Sequence, residues 1–232
     1  MNKIYENGTY LDNNPTWHEE DSQWKAKYIA TIIKRNNLVP STICEIGCGA
    51  GEILNRLQTE FGDKVIFSGY EISPQAFELC NRKSKHNLQY FPKSLLDEKK
   101  ETIFDVVMAI DVFEHVEDYR GFLRELKERG KYKVFHIPLE LTVQTVLRSS
   151  PLLKSRLSFG HIHYFTKETA IATLKDTGYE VLDYFYTGGS LELPNLGWKA
   201  NLLKLPRRLC FSINEDLAVR ILGGFSLLVL AK

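Results

Sequence analysis

Glu45-Ile46-Gly47-Cys48-Gly49-Ala50-Gly51 is the stretch that decides how this 232-residue chain is read. The run Thr42-Ile43-Cys44-Glu45-Ile46 leading into it is short and mostly apolar, as in a strand buried on both faces. Beyond it Ile53, Leu54 and Leu57 recur at helical spacing. Alternating glycines therefore sit at a joint between strand and helix. Without a Cβ, glycine reaches positive φ and lets backbone N–H groups come close to a ligand at a helix N-terminus. The segment predicts a cofactor site, and with it an enzyme.

The spacing narrows the cofactor. A dinucleotide fingerprint G-x-G-x-x-G would need its third glycine where Glu52 stands, and a carboxylate at that helix start opposes a pyrophosphate. No Gly-Lys-Ser/Thr follows, which excludes a P-loop. The next apolar run, Val65 to Tyr70, ends in Glu71, which lies 71 − 51 = 20 residues past the last loop glycine. A carboxylate there can accept both hydroxyls of a ribose. Ser73 reads as an N-cap and Pro74 as a first-turn proline, predicting a helix over 75–82.

Further strands are predicted at 88–91, 104–110 and 134–138, so the chain alternates strand and helix, as an α/β fold does. Three segments carry a family resemblance: Glu45 to Gly51, then Phe104-Asp105-Val106-Val107 with Asp111-Val112-Phe113-Glu114-His115-Val116, then Gly160-His161-Ile162-His163-Tyr164-Phe165-Thr166. Together they resemble the class I S-adenosylmethionine-dependent methyltransferases, and within them the small-molecule subgroup that includes enzymes of ubiquinone biosynthesis. The resemblance covers roughly residues 41–186 and the apolar run 225–231.

The resemblance implies a Rossmann-like, seven-stranded, mostly parallel sheet with helices on both faces and an antiparallel last strand. It implies S-adenosyl-L-methionine as cofactor, with Glu45, Gly47, Cys48, Gly49 and Gly51 around its amino-acid end and Glu71 and Ile72 at its ribose. Ser94 and Leu95 stand where relatives contact the adenine, with Asp97 as the alternative, and Ile110 and Asp111 fall beside the transferring methyl. The carboxylates at 45 and 52 suit a cationic cofactor that carries no phosphate.

Net charge is +1, which gives no general attraction to nucleic acid. The longest apolar run, 225–231, is far too short to span a bilayer, and the first residues lack a signal-peptide core. A cytoplasmic enzyme is expected. Cys44, Cys48, Cys80 and Cys210 form no C-x-x-C pair and read as reduced, buried packing residues.

The expected organisation is an N-terminal lid and helix over 1–36, followed by a methyltransferase domain over 37–232 with substrate-side additions at about 139–160 and 187–222. Trp24 lies on the helical apolar stripe of Tyr28, Ile29, Ile32 and Ile33 and reads as core. Trp17, off the stripe, is a candidate substrate contact, as is His136. The two additions mix cations with leucines, which reads as a solvated face and leaves peripheral contact with a membrane surface open.

Methyl transfer from a sulfonium needs alignment and exclusion of water more than a nucleophile. A hydroxyl acceptor must also lose a proton, and a histidine can take it. His161 and His163 are the first candidates, alternating as on an extended segment, with His115 next. A divalent ion on His161 and His163 with Glu114 or Asp111 is the less favoured reading, and no metal is expected. The expected function is methyl transfer to a small molecule, at an oxygen of a sugar, phenol or quinone-type intermediate. A nicotinamide-dependent oxidoreductase and a non-catalytic cofactor-binding protein are the alternatives.

Overall fold

The computed structural model describes residues 19–193 and 204–232, together with Tyr10, Asn14, Thr16, Trp17, Asn201 and Leu202. Most of the expected lid, including His18, and the segment with Pro194, Trp198 and Lys199 lie outside the described residues.

After helix α1 (Glu19–Arg35), strands and helices alternate: β1 (Thr42–Ile46), α2 (Glu52–Phe61), β2 (Ile66–Tyr70), α3 (Pro74–Asn81), β3 (Leu88–Phe91), β4 (Phe104–Ile110), α4 (Tyr119–Lys127) and β5 (Gly130–Pro138). The short helices α5 (Val143–Arg148) and α6 (Ser150–Ser158) follow, then α7 (Lys167–Asp176) and β6 (Val181–Thr187). The expected addition after residue 187 is helical where described, with α8 (Gly189–Glu192), α9 (Lys204–Ile213) and α10 (Glu215–Leu222), before β7 (Ser226–Ala231).

The seven strands form one sheet in the order β3-β2-β1-β4-β5-β7-β6. β1 to β5 are parallel, and β7 runs antiparallel to both its neighbours. Alternate side chains of β4 enter opposite layers. Val107 and Ala109 pack with Leu123 and Leu126 of α4 and Leu174 of α7, whereas Val106, Met108 and Ile110 pack with Ile29 and Ile33 of α1 and Leu54 and Leu57 of α2. α1 is therefore a core element, which its apolar stripe predicts.

Local signals explain several boundaries. Thr166 accepts a hydrogen bond from the Thr169 N–H and starts α7 in a capping box. Ser73 occupies the N-cap of α3 without capping through its side chain. Its N–H is instead held by the Glu71 carboxylate, 2.7 Å away.

Two readings need correction. Cys44, Cys48 and Cys80 are buried and free, but Cys210 is exposed on α9. The two additions are also more than a solvated charged face, since Leu147, Leu157, Leu205 and Ile213 are all largely exposed.

Candidate active site

The strand order reverses direction between β1 and β4, and a crevice opens at the carboxyl ends of the strands at such a point. A cavity of about 400 Å³ lies there, bordered by the loop of residues 47–51, Glu71, Asp111, His136 and His161 among others.

One end is built by the glycine loop. The N–H groups of Gly47 and Cys48 donate to the Tyr70 carbonyl at 2.8 and 3.2 Å, which pins the loop to the end of β2. The Gly49 N–H donates to Glu71 at 2.8 Å. Glu71 is buried, and burial pushes its carboxyl up, partly offset by the backbone N–H groups of Ser73 and Gly49. Glu45 is also buried and borders the cavity, and its Oε2 has no hydrogen-bond partner among the described residues. Burial holds its carboxyl well above the usual range.

The middle of the cavity centres on Asp111. The register of β4 and β5 sets Ile110 opposite His136, so the residue after the strand meets the imidazole. His136 Nδ1 lies 2.6 Å from Asp111 Oδ1, and Lys25 of α1 binds Oδ2 at 2.8 Å. Burial raises the Asp111 carboxyl, but His136 and Lys25 outweigh it and hold the group far below the usual carboxylate range. The second ring nitrogen of His136 lies 2.9 Å from Thr187 Oγ1 at the end of β6. Trp24 stands edge-on to the His136 ring and borders the cavity, so it is a wall of the site and not the core residue its stripe predicts.

The far end carries His115 and His161, whose ring centroids are 4.7 Å apart. His161 Nδ1 lies 2.6 Å from Glu140, which also accepts from Ser155. Burial and the neighbouring His161 push His115 down to about 4. The segment carrying His161 is stitched to the turn before α4, since the N–H groups of Ile162 and His163 both donate to the Glu114 carbonyl, at 2.9 and 3.1 Å. Two successive amides on one carbonyl break the alternation expected of an extended strand. His163 consequently turns away, bonding the Val116 carbonyl at 3.0 Å and packing on Tyr119.

Against known families, residues 17–184 match the model of a methyltransferase domain. This chain belongs to that methyltransferase family. A stretch of 104 residues is 34% identical to the mitochondrial ubiquinone biosynthesis O-methyltransferase of Schizosaccharomyces pombe, covering 42% of this chain and 37% of that protein. The chain thus matches little more than a third of that curated relative's length. Solved methyltransferase structures share the fold, the following two among them. A putative sarcosine dimethylglycine methyltransferase from Galdieria sulphuraria has a TM-score of 0.63 at 15% identity, over 89% of this chain and 83% of that one. The cyclopropane synthase MmaA2 of Mycobacterium tuberculosis has a TM-score of 0.62 at 17% identity, over 88% and 84%.

The cofactor of this methyltransferase is S-adenosylmethionine. The residues present fit it: a buried carboxylate oxygen on Glu45 with no hydrogen-bond partner among the described residues matches an ammonium, and the cavity's lysine, Lys25, is already bound to Asp111. Of the residues expected at the cofactor, Glu45, Gly47, Cys48, Gly49, Gly51, Glu71, Ile72, Ile110 and Asp111 border the cavity. Ser94 and Leu95 do not. The Ser94 hydroxyl accepts from the Leu96 N–H, and Leu95 is fully buried in the core. Trp17, His136, His115 and His161 border the cavity, whereas His163 is corrected to a structural position.

Sequence reasoning missed Lys25, Glu140, Ser155 and Thr187. Lys25, Glu140 and Thr187 act through partners remote in the chain, and Ser155 meets Glu140 and His161 only because the chain turns between them, so no local spacing announces these residues.

Replacing Glu71 with alanine strips the Gly49 and Ser73 amides of their shared acceptor. It is expected to weaken S-adenosylmethionine binding by about 2 to 3 kcal/mol, the range for charge-assisted hydrogen bonds. Titration calorimetry on a variant with unchanged circular dichroism is the measurement, and equal affinities would remove Glu71 from the cofactor site.

Proposed function

We propose that this chain methylates an oxygen of a small-molecule acceptor, its hydroxyl losing a proton at the histidine end of the cavity. The observation that carries this reading is His161, buried against the cavity with Nδ1 held by Glu140. A carboxylate on Nδ1 favours the tautomer with its proton there and leaves Nε2 as an acceptor, with the assignment following from the hydrogen bond. The cofactor, when bound, supplies a methyl group on positively charged sulfur. The acceptor oxygen gives up its proton as its lone pair forms the new C–O bond. The cofactor's sulfur would keep the electron pair of the S–C bond that is given up.

The chain's own residues hold the two reactants apart from water and in line. Glu45, Glu71 and the glycine loop fix one end, and Trp17, Trp24 and His136 wall the middle. The similarity to the fission-yeast ubiquinone biosynthesis O-methyltransferase supports oxygen as the acceptor atom. The acceptor is open among sugars, phenols and quinone-type intermediates.

The test is incubation with methyl-labelled S-adenosylmethionine and a metabolite extract, with mass spectrometry of the labelled product. His161→Gln should lower kcat on the identified acceptor about a hundredfold while leaving cofactor affinity within twofold, because proton transfer occurs away from the cofactor. Labelling on carbon or nitrogen would refute oxygen transfer, and an unlabelled extract despite cofactor binding would favour a non-catalytic binding protein.

A further inference from the structure

The glycine loop that borders the cavity must itself be held in place. Gly49 and Gly51, on either side of Ala50, take φ of +52° and +76°, and without side chains both turn easily. The peptide between Ala50 and Gly51 is nevertheless fixed at both edges. Its N–H, on Gly51, donates to the Cys48 carbonyl at 2.8 Å. Its carbonyl, on Ala50, lies in the same plane and accepts from the Lys83 ammonium at 2.7 Å.

Lys83 follows α3 and is not among the residues that border the cavity, so it reaches the cofactor only through this loop. An ammonium carries three N–H donors, and three acceptors surround this one: the Ala50 carbonyl, the Glu19 carboxylate that opens α1, and Glu52 at the start of α2, 3.6 Å away. Lys83 thereby ties the start of α1 to the loop. Trp17, two residues before α1, lies across the same loop, its ring 3.8 Å from where a Gly49 Cβ would stand. Its centroid is 4.6 Å from that of Tyr10, and both rings border the cavity. An exposed ion pair alone is worth little, but Lys83 is largely covered and one of its bonds is charge-assisted to a carbonyl of the site itself. Without it the Ala50 carbonyl loses its partner, and Glu19 and Glu52 lose the cation they share.

We infer that Lys83 is a positioning residue for S-adenosylmethionine: it locks the Ala50–Gly51 peptide and clamps the start of α1 to the loop, so that Trp17 covers the bound cofactor and slows its release. The inference needs only the cofactor and no identified acceptor, so it stands or falls apart from oxygen transfer.

The experiment loads the full chain with methyl-tritiated S-adenosylmethionine, chases it with excess unlabelled cofactor, and follows release by rapid filtration, with affinity from calorimetry. Lys83→Met should release the cofactor at least tenfold faster and bind it correspondingly less tightly, whereas Lys83→Arg should stay within threefold of the wild type. Glu19→Gln should also speed release, and adding it to Lys83→Met should change the rate less than twofold, because both act through one contact. Raising salt from about 0.05 to 0.5 M should hasten release from the wild type but not from Lys83→Met, since partly exposed pairs are screened. Lys85→Met is the control for a merely structural role: Lys85 binds Asn55 and Gln58 of α2 without touching the loop, and its loss should leave release unchanged. Release from Lys83→Met within twofold of the wild type, or equal acceleration by Lys85→Met, overturns the inference. If Lys83→Met loses its circular dichroism, Glu19→Gln decides alone, and an unchanged release rate there overturns the clamp.

Discussion

Gly51→Ala is expected to destabilise the cofactor-free fold by about 3 to 4 kcal/mol, combining overpacking with a left-handed backbone cost. Gly51 starts α2 at φ +76°, and a Cβ there would lie 2.6 Å from Cys80 Cβ and 2.7 Å from the Tyr90 ring. Neither neighbour can yield. Cys80 is fully buried, and Tyr90 is buried with its hydroxyl donating to the Gly51 carbonyl at 2.7 Å. Gly62, at the other end of the same helix, separates the two costs. Its φ of +77° and ψ of −171° lie in a region essentially restricted to glycine, but a Cβ would meet nothing within 4 Å, so Gly62→Ala should lose about 1 to 3 kcal/mol from backbone strain alone. Urea unfolding of both variants is the measurement. Domains carry only about 5 to 15 kcal/mol in total, so both shifts should be measurable and the first substitution should move the midpoint more than the second. Equal midpoints would mean that the loop is not wedged against β3.

Asp111→Ala should cost about 3 to 5 kcal/mol, because it leaves Lys25 and His136 in the cavity wall without their shared counter-charge. The residue also holds φ at +53°, a conformation that asparagine tolerates better than alanine. Asp111→Asn should therefore lose less, keeping the turn and an acceptor for His136 while stranding Lys25. The sign with pH follows from the depressed carboxyl. A group whose folded pKa is lowered stabilises above its unfolded value, about 3.9, and that stability goes only as pH falls through the lowered folded value. Mild acid should thus fail to reproduce the mutation. Thermal unfolding of the three proteins between about pH 5 and 8 checks both points. A wild-type protein that loses the difference from Asp111→Asn by pH 5 would show that the ion cluster is not closed as described.

The cofactor end was legible in the sequence because its parts are local. Gly47 to Gly51 and Glu71 each follow a strand whose apolar run is readable, and parallel strands bring such ends together. Seven strands, with β7 antiparallel, followed from the family resemblance. The acceptor end was only half legible. His161 and His163 were named from an assumed extended segment, and the shared Glu114 carbonyl sends them different ways. Ser94 was placed by order along the chain, while the hydroxyl itself serves a local turn. Trp24 lay on a true apolar stripe, but the stripe is wide enough that one edge faces the cavity. The carboxylate partners of His136 and His161 are 25 and 21 residues away in sequence, and spacing carries no signal for such pairs.

The place of β7 has a consequence for synthesis. It lies between β5 and β6, pairing Ser226 with Pro138 on one side and Thr187 on the other. As the chain leaves the ribosome, β1 to β5 can assemble on their own, yet β5 keeps an open edge and β6 has no neighbour until residues 226–231 emerge. The hydrogen bond between His136 on β5 and Thr187 on β6 reaches across that gap. The cofactor half of the crevice can therefore form on the nascent chain, whereas the wall that faces the acceptor closes only when the long-range pairing of β7 completes the sheet.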